Sequence, residues 1–152
     1  MDLSGNKELL DRPLVAFFAS RTSPAEALSL AERWALDIAQ TDKVVISGFH
    51  SPIERAVLNI LLTNGCSAVI TLGRSLYHKI PNRLQEAYNE NRLLFLSFRN
   101  ASRPSFANSQ TRNWLTADLA SEVVFAPFDE DSQLATLHFS LSRGSGNCTI
   151  LR

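Results

Sequence analysis

Short apolar runs occur at regular intervals along the chain, and a polar turn follows each of them. Most of these runs are continuously apolar rather than alternating, which is typical of strands buried on both faces of a parallel sheet. We therefore predict about six strands, at residues 15–20, 43–47, 67–72, 93–97, 122–126 and 148–151.

The segments between the runs have helical periodicity. After the second run, for example, Ile53, Val57 and Ile60 recur every three or four residues. Alternating strands and helices predict a three-layer α/β fold, with a mostly parallel sheet and helices on both faces. Helices are expected at residues 27–38 and 53–61, after Pro81, and around residues 112–120 and 133–142.

The pattern Ser-Pro-x-Glu begins the first two predicted helices. It occurs as Ser23-Pro24-Ala25-Glu26 and, 28 residues later, as Ser51-Pro52-Ile53-Glu54. In a capping box the serine side chain accepts from a first-turn N–H, and the glutamate reaches back to the N–H of the cap residue. We expect two capping boxes side by side at the carboxyl edge of the sheet, where open α/β sheets bind ligands.

Polar residues and glycines at this edge are candidates for binding a phosphate or a carboxylate. Helix N-termini carry unpaired N–H groups and a partial positive charge, which favour an anion. Alternatively, the caps only complete their helices, and Gly48 only permits a tight turn with positive φ. The candidates after the first three strands are Ser20, Arg21, Thr22, Ser47, Gly48, Gly73 and Arg74.

A basic segment with interleaved aromatic residues extends from Asn91 to Ala117 and contains no acidic residue. Basic groups suit phosphates and aromatic faces suit bases in single-strand binding; alternatively, the aromatic residues belong to the core and the arginines to a solvated face. Residues 98–111 are predicted to form a long polar loop, and such loops are often functional. The segment contains Arg92, Arg99, Arg103 and Arg112, with Phe95, Phe98, Phe106 and Trp114.

The composition indicates one domain over residues 1–152, in which residues 1–12 lead into the sheet. The 15 basic and 15 acidic residues give a formal net charge of zero, so any polyanion site must be local. Cys66 and Cys148 have no metal-ligand spacing and form no disulfide framework, which suits a reducing compartment. Without a signal-like or membrane-spanning segment, we expect a cytoplasmic protein with no membrane partner.

The acidic run Asp129-Glu130-Asp131 follows the fifth predicted strand. Its carboxylates have the chemistry to bind a metal or to act as acid and base, but a solvated loop before a helix is the preferred interpretation. Since glycine-rich dinucleotide and phosphate-binding loops and the nucleophile elbow are also missing, no metal site and no catalytic residue is predicted.

In order and spacing, several pieces of residues 8–136 resemble the Rossmann-like domain of the DNA-processing DprA/Smf proteins, within the SLOG superfamily. Ala19-Ser20-Arg21 is similar to the family's Gly-Ser-Arg, and Ser47-Gly48 to the start of its Ser-Gly-x-Ala-x-Gly-Ile-Asp. Arg112-Asn113 is similar to an Arg-Asn pair, and residues 131–136 are weakly similar to Ser-Gly-Ser-Leu-x-Thr. The chain departs from these patterns at Ala19, His50, Pro52 and Glu54, where the family has Gly, Ala, Gly and Asp.

The resemblance implies a homodimer that binds single-stranded DNA without a cofactor and assists a recombinase in natural transformation. It adds Arg112, Asn113 and Ser132 to the candidate residues. We therefore expect a non-catalytic binding module that holds the phosphates of single-stranded DNA, or of a nucleotide, at the carboxyl edge. The alternatives are a SLOG-type sensor domain for a small nucleotide and, least favoured, a nucleotide-cleaving hydrolase, whose Gly-Gly-x-Gly-Thr-x-x-Glu motif is missing.

Overall fold

The structure is a computed structural model that describes residues 1–98, 106–144 and 147–152, with the backbone alone for residues 106–109. Within these ranges, seven strands form one sheet that is accompanied by five α-helices and a 3-10 turn at Lys7–Asp11. The strands are β1 (Asp2–Gly5), β2 (Leu14–Phe18), β3 (Val44–Ser47), β4 (Ala68–Leu72), β5 (Leu93–Ser97), β6 (Glu122–Phe125) and β7 (Cys148–Ile150). The helices are α1 (Ala27–Ile38), α2 (Pro52–Thr63), α3 (Asn82–Asn89), α4 (Phe106–Leu119) and α5 (Gln133–Ser142).

The strand order determines where a ligand crevice forms. The order is β1-β5-β4-β3-β2-β6-β7, and every neighbouring pair is parallel except β1 with β5. The chain runs from β2 outward to β5 and then returns to place β6 on the other side of β2. The loops after β2 and β6 therefore diverge at the carboxyl edge, and a crevice opens at this reversal of strand order.

The sheet is buried between two helical layers, as predicted. Side chains of β2 alternate between the layers: Phe17 belongs to the core cluster that includes residues of α1, α2 and α3, whereas Phe18 belongs to the cluster that includes residues of α4 and α5. Every residue of β2, β4 and β5 is buried, which explains their continuously apolar sequences. In the described ranges, no helix has both the length and the apolar character needed to cross a membrane.

The sheet has one strand more than the sequence predicted. β1 pairs antiparallel with β5, so the segment expected only to lead into the sheet forms its edge. The missed strand has four residues and a single large apolar side chain, Leu3. Its sequence lacks the apolar run that predicts a strand, because pairing with β5 rather than its own residues makes it extended.

The predicted loop at residues 98–111 is wrong at its C-terminal end. α4 begins at Phe106 rather than near residue 112, so residues 106–111 are helical. The helix lacks a clear apolar stripe because part of its surface carries polar groups such as Arg112 and Asn113 at the carboxyl edge. Arg99 and Arg103 lie outside the described residues.

Only the second of the two predicted capping boxes forms. The side chain of Ser51 accepts from the N–H of Glu54, and the Glu54 carboxylate accepts from the N–H of Ser51. α1 instead begins after Glu26, whose side chain makes no cap hydrogen bond, and the Ser23 hydroxyl donates to the carbonyl of Ser20. Pro24, Ala25 and Glu26 form a turn in which the N–H of Ala27 donates to the carbonyl of Pro24, and α1 begins only at Ala27. Ser23 therefore lies too far before the helix to cap it.

We expect Gly5→Ala to lower the free energy of unfolding by about 1–3 kcal/mol. Gly5 has φ of +119°, and an added Cβ would collide with the carbonyl oxygen of Leu93 on the neighbouring strand. Gly144→Ala is the matched control, because among the described residues its Cβ would meet only the Leu141 carbonyl at 3.6 Å, an ordinary contact. Equal stability of the two variants in urea denaturation would contradict the role assigned to Gly5.

Candidate anion-binding site

The carboxylate of Glu54 joins two loops at the carboxyl edge. Its Oε1 accepts from the N–H groups of His50 at 2.8 Å and Ser51 at 3.2 Å, and its Oε2 accepts from the N–H of Ala19 at 3.0 Å. The side chain lies on α2 and is only 5% exposed. One buried carboxylate thereby fixes the end of β2 against the turn between β3 and α2.

The turn after β3 is held by Ser47 and is strained at Phe49. The hydroxyl of Ser47 accepts from the N–H of Phe49 at 3.1 Å, and Phe49 has φ of +48°, a left-handed conformation that is uncommon for a bulky residue. The interpretation of Gly48 as the positive-φ residue is therefore wrong. Ser47 is fully buried and lines neither cavity described below, so it shapes the turn.

Gly48 leaves room for the side chain of Arg112. A Cβ at Gly48 would lie 2.7 Å from both Nε and Cζ of Arg112, so a larger residue would displace the guanidinium. Arg112 is 8% exposed, and its Nη2 and Nε donate to Oδ1 of Asn113 at 3.1 and 3.4 Å. Burial lowers the pKa of Arg112, whereas the negative charge of Glu54 raises it. The close approach expected of a ligand at Gly48 is made by this arginine.

One cavity, the switch-point crevice, lies where the loops after β2 and β6 diverge. It has a volume of about 640 Å³. His50, Asp131 and Gln133 also line it, although the sequence did not single out the first and third as candidates. It brings together six predicted residues, Ser20, Arg21, Thr22, Arg112, Asn113 and Ser132.

A second cavity, the arginine cleft, lies beside the crevice at the loops after β3 and β4. Its volume is about 320 Å³, and besides Arg21 and Arg112 it is lined by three predicted residues that the crevice lacks, Gly48, Gly73 and Arg74. Tyr77 lies in the same cleft, with the guanidinium carbon of Arg74 4.8 Å from the centre of its ring. Five arginines line the cleft, and its described lining residues include no carboxylate. They are Arg21, Arg55, Arg74, Arg83 and Arg112.

Among the described residues, none of these five guanidinium groups forms an ion pair within 4 Å, although the charge of Glu54 acts on Arg112. In the part of the chain that the structure describes, the two ion pairs are Lys43 with Glu122 and Arg92 with Glu90, and neither involves a cleft residue. Arg21, Arg55 and Arg83 are exposed. The cleft therefore concentrates positive charge in a protein whose formal net charge is zero.

Arg92 does not join this surface. It lies before the amino end of β5, where it donates to the carbonyls of Leu62 and Cys66 and pairs with Glu90 at 2.7 Å. Phe95 is 1% exposed within the same strand. Within the described part of the segment from Asn91 to Ala117, Arg92 and Arg112 thus do not share a binding surface, because they lie at opposite edges of the sheet.

The acidic run after β6 divides between two surfaces. Asp131 lines the switch-point crevice, whereas Glu130 lines a shallow apolar cavity beside α5. Among the described residues, no group of three or more His, Cys, Asp or Glu side chains is arranged to hold a metal ion. Ser132 caps α5 by accepting from the N–H of Leu134 at 3.1 Å.

Sequence reasoning missed two of the cleft arginines. Arg55 follows Glu54 in the first turn of α2, and Arg83 lies in the first turn of α3. Both helices begin at the carboxyl edge, so a count of arginines in the first turns after each strand would have found them.

The fold and the two cavities define an open, mostly parallel α/β domain with an arginine-lined cleft at its carboxyl edge. The chain belongs to the family of DNA recombination-mediator protein A, whose family model matches residues 2–145. The recognition of a DprA-like domain from the sequence is thereby confirmed. A sequence search among curated proteins gave no significant match.

Solved structures of relatives support this fold. DNA processing protein A from Helicobacter pylori, described for its binding of single-stranded DNA, has a TM-score of 0.78 at 19% identity, over 97% of this chain and 69% of that protein. DNA processing protein A from Streptococcus pneumoniae also has a TM-score of 0.78, at 26% identity. The match covers 97% of this chain but only 53% of that protein. The molybdenum cofactor carrier protein from Chlamydomonas reinhardtii is more distant, with a TM-score of 0.56 at 10% identity over 91% of this chain and 89% of that protein.

Replacing Glu54 tests its role in joining the loops. We expect Glu54→Gln to lower the free energy of unfolding by about 2–3 kcal/mol, because the amide can no longer accept hydrogen bonds at both atoms and leaves a buried N–H without an acceptor. Glu86→Gln, at an exposed position of α3, is the matched control and should change stability by less than about 0.5 kcal/mol. A loss of equal size in both variants would contradict the role of Glu54.

The imidazole of His50 reports the positive charge at this edge. Partial burial lowers the pKa of His50, and the charges of Arg112 and Arg21 lower it further. NMR titration should give a value below the ordinary 6.5 or so, and Arg21→Ala should raise it while Arg33→Ala, outside both cavities, should not. Because the pKa of His50 is lower in the folded protein, the unfolded chain binds a proton at this residue at a higher pH than the folded protein does. The contribution of His50 to the free energy of unfolding should therefore fall as the pH drops below about 6.5. An unshifted pKa in the wild type would contradict this electrostatic description.

Proposed function

We propose that this chain binds single-stranded DNA at the carboxyl edge of its sheet, with the phosphates in the arginine cleft. The observation that carries the proposal is the set of five arginines without an ion pair or a carboxylate among the described lining residues. A polyanion releases counterions when it meets such a cluster, which provides affinity independent of sequence.

The floor of the cleft suits the other half of a nucleotide. Phe49, Leu72 and Phe95 line it together with the half-buried ring of Tyr77. A cationic rim above an apolar and aromatic floor is the combination that single-strand binding uses, because phosphates need charge and bases need a surface on which to stack. The arginines supply the first. The half-buried ring of Tyr77 supplies the second, whereas Phe49, Leu72 and Phe95 are themselves buried.

The comparisons support this proposal from a different direction. The matching family is named for recombination mediation, and the Helicobacter pylori relative is described as binding single-stranded DNA. This chain spans only 69% and 53% of the length of the two bacterial relatives. An activity of the whole relatives is therefore only a proposal for this chain. The homodimer, the recombinase partner and the cytoplasmic location stay predictions.

Removal of one cleft arginine tests the proposed function. Arg83→Ala should weaken the binding of a labelled single-stranded oligonucleotide by about tenfold, the size of one hydrogen bond to a charged group. It should also reduce the dependence of log K on log salt by about 0.7, the value for one phosphate contact on a single strand. Fluorescence anisotropy between 50 and 200 mM salt measures both quantities.

The matched control is Arg33→Ala, which removes an exposed arginine of α1 outside both cavities. This variant should retain the affinity and the salt dependence of the wild type. Equal weakening by both variants would show that binding follows total charge rather than the cleft, and absence of wild-type binding at low salt would refute the function.

A further inference from the structure

We propose that two buried threonines, Thr71 and Thr116, position Arg112 and thereby set the affinity of the arginine cleft for single-stranded DNA. The sequence did not single out either of them as a candidate. Both side chains are fully buried, so they are positioning residues rather than ligand contacts. The effect on DNA binding rests on the proposed function, whereas the effect on Arg112 does not.

The two hydroxyl groups form a directed chain of hydrogen bonds from β4 to α4. The hydroxyl of Thr116 donates to the carbonyl of Arg112 at 2.6 Å, and its oxygen lies 2.8 Å from the hydroxyl oxygen of Thr71. A hydroxyl has a single proton, and Thr116 gives its own to the carbonyl, so it accepts from Thr71. The chain therefore runs from Thr71 through Thr116 to the backbone of Arg112.

The helix that carries Arg112 buries few apolar side chains near it. Among residues 110–119 of α4, the buried residues are Arg112, Thr116 and Ala117, and only the last is apolar. A helix with a wide apolar stripe is held against its sheet by burial of that stripe. In this part of α4, the hydrogen bond between Thr71 and Thr116 supplies a fixed point on β4 instead.

The guanidinium of Arg112 has little freedom to be misplaced. It occupies the space that a Cβ at Gly48 would need, and it lies in the wall of both cavities. A movement of α4 relative to β4 would carry the guanidinium away from Gly48 and change the charge that the cleft presents. Because the threonine pair holds the carbonyl of Arg112, it fixes the point from which this side chain starts.

Replacing both threonines with valine separates positioning from stability. The variant Thr71→Val/Thr116→Val exchanges each hydroxyl for a methyl group of the same shape, which is close to neutral for the free energy of unfolding. We expect a urea midpoint close to that of the wild type, but an affinity for a labelled oligonucleotide that is about three- to tenfold lower.

Two further variants serve as controls. Thr116→Ser keeps the hydroxyl and should retain wild-type affinity, as should Thr136→Val at an exposed position of α5 outside both cavities. If the double variant does not fold, Thr71→Val alone, which keeps the bond from Thr116 to Arg112, should give a smaller loss in the same direction.

The imidazole of His50 gives a readout that does not depend on DNA. Burial, and after it the charge of Arg112, lowers the pKa of His50. The double valine variant should therefore raise this pKa in an NMR titration, as the guanidinium moves away. In an Arg112→Gln background, which has no guanidinium to misplace, the same two valines should change neither the pKa nor the affinity further.

A wild-type value of either quantity in the double valine variant would overturn the proposal, because the pair would then only satisfy two buried hydroxyls. So would an equal loss of affinity in the Arg112→Gln background, since the threonines would then act by another route. If wild-type protein binds no oligonucleotide even at low salt, the proposed function is refuted, and the pKa of His50 alone decides whether the pair positions Arg112.

Discussion

The carboxyl edge of this protein depends on the buried carboxylate of Glu54. Three backbone N–H groups from two loops converge on it, and burying a charge of this kind is tolerable only when hydrogen bonds replace the lost water. Its negative charge also lies close enough to favour the charged form of Arg112, whose guanidinium is otherwise penalised by burial. Without this carboxylate, the loops after β2 and β3 would have no common anchor, and Arg112 would be a buried cation with less compensation.

Arg112 in turn explains why the turn after β3 has its particular residues. A glycine at position 48 leaves space for the guanidinium, and the next residue, Phe49, adopts the left-handed conformation that completes the turn. The hydroxyl of Ser47 holds that conformation from within the core. These residues therefore act on the site through Arg112, which lies between the crevice and the cleft and belongs to the wall of both.

Much of the fold was predictable because strands buried on both faces have continuous apolar sequences, and the helices between them have apolar residues every three or four positions. β1 and the start of α4 were not predictable, because an edge strand is defined by its partner and a polar helix has no apolar stripe. The position of the candidate site at the carboxyl edge of the sheet, in the loops after the strands, was predictable from the sequence. The full charge of the cleft was not predicted, because Arg55 and Arg83 lie in the first turns of α2 and α3 rather than in the loops.

The architecture alone does not decide what is bound. A molybdenum cofactor carrier protein has the same fold class at lower similarity, so the fold by itself does not identify a ligand. In this chain, the loops after the strands and the helices that follow them bring five arginines to the cleft, whereas the charges that line the crevice nearly cancel, in a protein whose formal net charge is zero. Net charge averages over this asymmetry, and therefore the local charge of each cavity is the quantity from which its ligand has to be inferred.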